Sequence, residues 1–220
     1  MLTSQVAPAA RPGAALLILA LLASAAAAQT AASPLPHLAL DTYPSPMREA
    51  VAAAYRHVTA RPADAEAAGT LARLLHAWEQ WDAAHDTYAR AAALAPRVFD
   101  WPYLDACVLM RLTRHGEAAA RLKEALAISP DYLPARVKLA EALFETGNLD
   151  ASKELFEGLV REPASEPHAL FGLGRIASAE GRHDAAVAHL TRALTLFPEW
   201  GTANYLLALS LRALGRRDAA

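Results

Sequence analysis

The stretch PHALFGLGRIASAEGRHDAAVAHLTRALTLFP, Pro167–Pro198, decides how this chain is read, because the remainder can be laid out as spaced copies of it. Stepping back from Gly181 by 34 residues reaches Gly147, Thr113 and Glu79, and one step forward reaches Gly215. The small residue five places after this marker recurs as Ala84, Ala118, Ser152, Ala186 and Ala220. The small residue seven places before it recurs as Ala72, Ala106, Ala140, Gly174 and Ala208, and proline closes most copies, at Pro96, Pro130 and Pro198. Such a period marks a repeat architecture, in which each unit buries its apolar face against its neighbours.

Composition points the same way. The chain is rich in Ala and Leu, residues that lose little entropy in a helix. Its formal charge of −2 is too near neutral to argue for nucleic acid or an anionic membrane surface as partner. Cys107 is the single cysteine, so no intrachain disulfide can form and stability must come from packing.

Residues 1–28 read as a secretory signal: Arg11, an apolar run AALLILALL from Ala14 to Leu22, and an A-x-A site at Ala26-Ala27-Ala28. Cleavage before Gln29 would leave an exported chain, periplasmic or secreted, with no membrane span, because the apolar run is short for a spanning helix. Residues 29–45 hold three prolines and no helical period, and read as a linker. Ser45-Pro46 is a helix start, with Ser45 as the cap, and residues 46–61 are expected to form an N-terminal capping helix.

Four repeats follow, 65–98, 99–132, 133–166 and 167–200, with a half repeat at 201–220. Each is read as an antiparallel helix pair. In the first helices an apolar residue sits beside a small one, as in Leu71-Ala72, Leu139-Ala140, Leu173-Gly174 and Leu207-Ala208; the second repeat departs, with Asp105 before Ala106. Ala84 is expected to face Ala72, and Ala186 to face Gly174. Tyr88, Leu122, Phe156 and Leu190 fill one buried place of each second helix, and Ala91, Ala125, Leu159 and Ala193 another. Gly147, Gly181 and Gly215 supply left-handed turns, so the turns at Glu79 and Thr113 are expected to be built differently. The four tryptophans, Trp78, Trp81, Trp101 and Trp200, are read as staples between repeats. Leu207, Leu211 and Leu214 are expected to form an uncovered C-terminal face, open to self-association or to a continuation of the protein.

At these recurring small, apolar, glycine and proline positions, over residues 65–220, the chain resembles the tetratricopeptide repeat family. The resemblance implies an all-α right-handed solenoid of antiparallel helix pairs, with a protein or peptide bound along the first helices on the concave side. Carried over by repeat position, the groove would be lined by Tyr103, Met110, Arg111, Val137, Glu141, Phe144, Phe171, Arg175 and Tyr205. Its middle is apolar and aromatic with charges around it, which suits an amphipathic helix or an extended apolar segment. The Lys and Asn pattern of chaperone-binding members is missing: the corresponding places carry Gly69, Arg73, Thr70, Tyr103, Cys107, Leu104 and Lys138.

The eight histidines have no metal-ligand spacing, and there is no G-x-S-x-G, phosphate loop or dinucleotide fingerprint. A non-catalytic scaffold without cofactor or metal is therefore expected, and the resemblance to exported members of the family implies a place in envelope assembly, secretion or protein maturation. The alternatives are the docking region of a longer exported enzyme, or a self-associating structural protein.

Overall fold

The computed structural model describes residues 34–216; the segment read as a secretory signal, the start of the expected linker and residues 217–220 lie outside them. Ten α-helices and no strand occur among the described residues. They are α1 (Ser45–Ala60), α2 (Ala65–Ala77), α3 (Trp81–Leu94), α4 (Asp100–Arg111) and α5 (His115–Ile128), followed by α6 (Leu133–Glu145), α7 (Leu149–Leu159), α8 (Glu166–Ala179), α9 (His183–Leu196) and α10 (Gly201–Ala213). Each packs chiefly on its neighbours in sequence, and the first helices α6 and α8 also touch each other. This is an all-α solenoid of helix pairs.

The repeat pattern accounts for the core. Tyr88, Leu122, Phe156 and Leu190 are all buried, as are Ala91, Ala125, Leu159 and Ala193. Tyr88, Leu122, Phe156 and Leu190 each belong to a different one of four successive apolar clusters, rather than to one central core. Residues 34–44 contribute to the first cluster: Leu35, Leu38, Leu40 and Tyr43 pack against it, and the Tyr43 hydroxyl donates to Gln80 Oε1 at 3.2 Å.

Helix starts differ from the sequence expectation at one place. Ser45 opens α1 without capping it; its hydroxyl accepts from Arg48 at 3.1 Å, and Pro44 occupies the cap. The side-chain cap lies at Asp64, which accepts from the Glu66 and Ala67 amides at 3.0 Å each and closes two orphan donors of α2.

The turns at Glu79 and Thr113 are a correction. Both residues adopt φ of 58°, in the same left-handed region as Gly147, Gly181 and Gly215 at 73–76°. All five turns close with one hydrogen bond from the next amide back five residues, such as Arg114 N to Leu109 O at 2.9 Å and Arg182 N to Ala177 O at 2.8 Å. The antiparallel packing of each pair imposes the turn, and the local residue tolerates it. A left-handed L-residue costs about 1–2 kcal/mol, part of which glycine returns as chain entropy. Thr113→Gly and Glu79→Gly are therefore each expected to stabilise the protein by about 0.5–1 kcal/mol in denaturant unfolding. A loss of stability in both would contradict the shared turn.

Glycines also set close approaches. A Cβ at Gly174 would meet Leu190 Cγ at 2.7 Å, so Leu190 lies directly over it. Gly172 lies under the Phe156 ring, and Gly69 under the indole of Trp101. Trp101 is 2% exposed and staples α4 onto α2, whereas Trp78 is 41% exposed.

Candidate functional site

The first helices of the third and fourth repeats diverge enough to leave a cleft of about 410 Å³ between them. Leu133, Pro134 and Val137 of α6 give it an apolar wall, Lys138 and Glu141 give it charge, and Ser165 and His168 close the far side. Its origin is legible in the third repeat. There α7 ends after 11 residues, against 14 in α3, α5 and α9, so a longer linker carries Ala164 and Ser165 to the cleft. Ser165 is buried and its hydroxyl donates to the Leu159 carbonyl at 2.9 Å, which fixes this linker against the end of α7.

Aromatic groups flank the cleft on both sides. Toward the N-terminus, Tyr103 stacks on Phe99 at 5.3 Å, and both meet Tyr132 edge-on at 5.2 and 4.7 Å. Burial pushes the Tyr103 hydroxyl and the neighbouring Cys107 thiol above their ordinary values, so both stay protonated at neutral pH. Toward the C-terminus, Trp200 lies 4.5 Å from Phe171 and 5.1 Å from His168. Beside it the Arg175 guanidinium sits 4.1 Å over the Phe144 ring and donates to Glu145 at 2.6 Å.

The expected groove residues thus fall into separate groups. Val137 and Glu141 line the cleft with His168. Phe144, Phe171 and Arg175 form one stacked unit at its edge, and Tyr103 belongs to the opposite aromatic cluster. Met110 is half-buried against the cluster built around Leu122 and Leu139, and Arg111 lies 5.4 Å over the Trp81 ring. Tyr205 is 68% exposed on α10. Gly69, at a groove position of the first repeat, is covered by Trp101.

Ser165 and Tyr132 were not singled out by sequence position, whereas Lys138 was named only as one of the places where the Lys and Asn pattern is missing. The signal for Ser165 was the early proline, Pro163, that lengthens the third linker. Lys138 adjoins Val137, and Tyr132 precedes the third repeat.

The expected open C-terminal face is corrected in part. Leu211 is buried, because Ala203, Leu207 and Leu211 share the face of α10 that packs on α9. Leu207 packs on the cluster of Ala177, Ala186 and Leu190. Leu214 is half-buried at the end of the helix.

Among the described residues no group of three or more His, Cys, Asp or Glu is placed to hold a metal ion. Among the same residues no helix is long and apolar enough to cross a membrane.

A solenoid of helix pairs with a cleft between successive first helices defines the class of a repeat scaffold. Family models of the tetratricopeptide repeat match residues 109–173 and 171–220, and the chain belongs to that family. Its arrays serve in general as protein-interaction scaffolds. No curated protein sequence matches the chain. Among solved structures it is similar to MamA from Desulfovibrio magneticus RS-1, at 19% identity over 71% of this chain and 89% of that one, with a TM-score of 0.64. It is similar also to YrrB, described as a TPR protein with an unusual peptide-binding site, at 18% identity over 76% and 87% with a TM-score of 0.60. A tetratricopeptide repeat protein from Parabacteroides merdae aligns at 15% identity over 78% and 67%, with a TM-score of 0.66.

Proposed function

We propose that this protein is an exported, non-catalytic scaffold that holds a segment of a partner protein in the cleft between α6 and α8, in envelope assembly, secretion or protein maturation. The observation that carries the reading is the cleft itself: an apolar wall at Leu133 and Val137, aromatic flanks at Tyr103 and Trp200, and charged Lys138 and Glu141 beside it. Apolar anchoring with a few placed polar groups is the ordinary anatomy of peptide recognition. A short amphipathic helix or extended strand laid across it would seat one apolar side chain against Val137. Export rests on residues 1–28, whose removal would make Gln29 the first residue of the mature chain; N-terminal sequencing of the secreted or periplasmic fraction checks it.

The binding test uses peptides selected from a random display library on the full chain. Val137→Glu and Glu141→Lys are expected to weaken the selected peptide at least about tenfold, near 1.4 kcal/mol, by isothermal titration. Helicity should be unchanged, because both side chains are only half-buried. Ala89→Glu, on the opposite cleft between α3 and α5, should leave affinity intact. No selectable peptide, or equal weakening by Ala89→Glu, would contradict the reading. Phe144→Ala and Phe171→Ala serve less well, since both rings lie against Arg175 and are not among the residues lining the cleft.

A further inference from the structure

The second repeat breaks the apolar pattern of the first helices at Asp105, and the break is not at the surface. Asp105 is fully buried on α4. Its Oδ1 lies 2.6 Å from His85 Nδ1 on α3, and its Oδ2 lies 2.9 Å from Arg121 Nε on α5. One carboxylate therefore joins three helices, across the boundary between the first two repeats. A carboxylate accepts only, so His85 Nδ1 carries the proton between them. The His85 side chain is 14% exposed and that of Arg121 27%, so each cation keeps a route to water while the anion has none.

We propose that His85, Asp105 and Arg121 form a proton-dependent latch that fixes how tightly the first repeat is held on the second. With His85 charged, the buried carboxylate has two cations, and α3, α4 and α5 are drawn together. With His85 neutral, Arg121 alone balances it and the joint loosens. The consequence reaches the concave side through α4. One helical turn before Asp105, Trp101 rests on Gly69 of α2, so any play in α4 changes the spacing of the first two first-helices.

The charges around His85 set the direction. The hydrogen bond to Asp105 raises it above the ordinary imidazole value of 6.5, outweighing burial, and the Asp105 charge adds to the rise. Asp86 on its own helix acts the same way, while Arg114, in the turn before α5, opposes it. Glu117 pairs with Arg114 at 2.6 Å, and Glu124 takes Arg121 at 2.9 Å. With the folded value raised, the stabilisation is fully present below 6.5 and is lost as pH rises through the folded value.

Hydrogen exchange of the full chain, read by mass spectrometry at pH 6.0 and 8.5 and corrected for intrinsic rates, tests the latch. The opening of peptides from α3 and α4 is expected to rise severalfold between the two pH values, while peptides from α6 and α7, which carry no histidine, do not change. His85→Gln should remove this dependence with helicity retained. So should Asp105→Leu, which installs the apolar residue found at this place in the other repeats. Persistence of the dependence in His85→Gln, or an equal response in all repeats, would overturn the proposal, as would no response in the unaltered chain. The peptide affinity of the α6–α8 cleft plays no part in these readouts.

Discussion

Trp101→Ala is expected to lower the unfolding free energy by about 4 kcal/mol, because a fully buried indole is removed and the space it leaves cannot collapse onto a glycine. Trp101 packs in the first apolar cluster with Leu71, Leu75 and Tyr88, and its ring fills the place a side chain at position 69 would take. The complementary change makes the argument specific. Gly69→Ala forces a methyl into that ring and should cost about 1–3 kcal/mol alone, yet far less in a Trp101→Ala background. Denaturant unfolding of the four proteins gives the coupling. Additive losses would mean that the ring and the glycine do not share one space, and the account of how α2 and α4 approach would fail.

The buried carboxylate gives the second large effect. Asp105→Ala leaves His85 and Arg121 facing a cavity with their charges uncompensated, and is expected to cost about 2–4 kcal/mol. The partial exposure of both cations keeps the loss toward the lower end of what breaking a buried ion pair costs. Asp105→Leu should fall within about 1 kcal/mol of the unaltered protein, since an apolar residue at this place is what Leu71, Leu139 and Leu173 already provide. A leucine variant as unstable as the alanine variant would indicate that the ion cluster stabilises the joint in a way that packing cannot replace.

Most of the architecture could be read from the 34-residue period, because burial in a solenoid is a nearest-neighbour property that each repeat declares in its own sequence. The small residues at 72, 106, 140 and 174 are all buried, and so are the large ones at 88, 122, 156 and 190. What the period could not reveal is where neighbours compensate for a departure from it. Thr113 looked like a different turn because its local preference is against φ of 58°, but the packing of α4 on α5 decides the backbone there. Asp105 looked like a lapse in the apolar pattern, and its partners lie 20 residues before and 16 after it in sequence, on helices whose rotation the pattern does not specify.

The candidate site was legible in the same partial way. Repeat position reached Val137, Glu141 and the Phe144–Phe171–Arg175 unit. It missed the linker residue Ser165, which enters the cleft through the longer linker after the short α7, and it named Met110, which lies half-buried against an apolar cluster and outside this cleft's lining. Leu211 was misplaced for a related reason: a leucine on the last described helix faces back toward α9 as readily as forward.

Site-specific photo-cross-linking tests the central claim most directly. A benzoylphenylalanine placed at His168, on the cleft between α6 and α8, is expected to capture the selected peptide at saturating concentration, with capture competed away by the unlabelled peptide. The same group at Ala89, on the opposite cleft between α3 and α5, should capture none above background. Capture at Ala89 and not at His168 would place the partner on the other face of the solenoid and contradict the account.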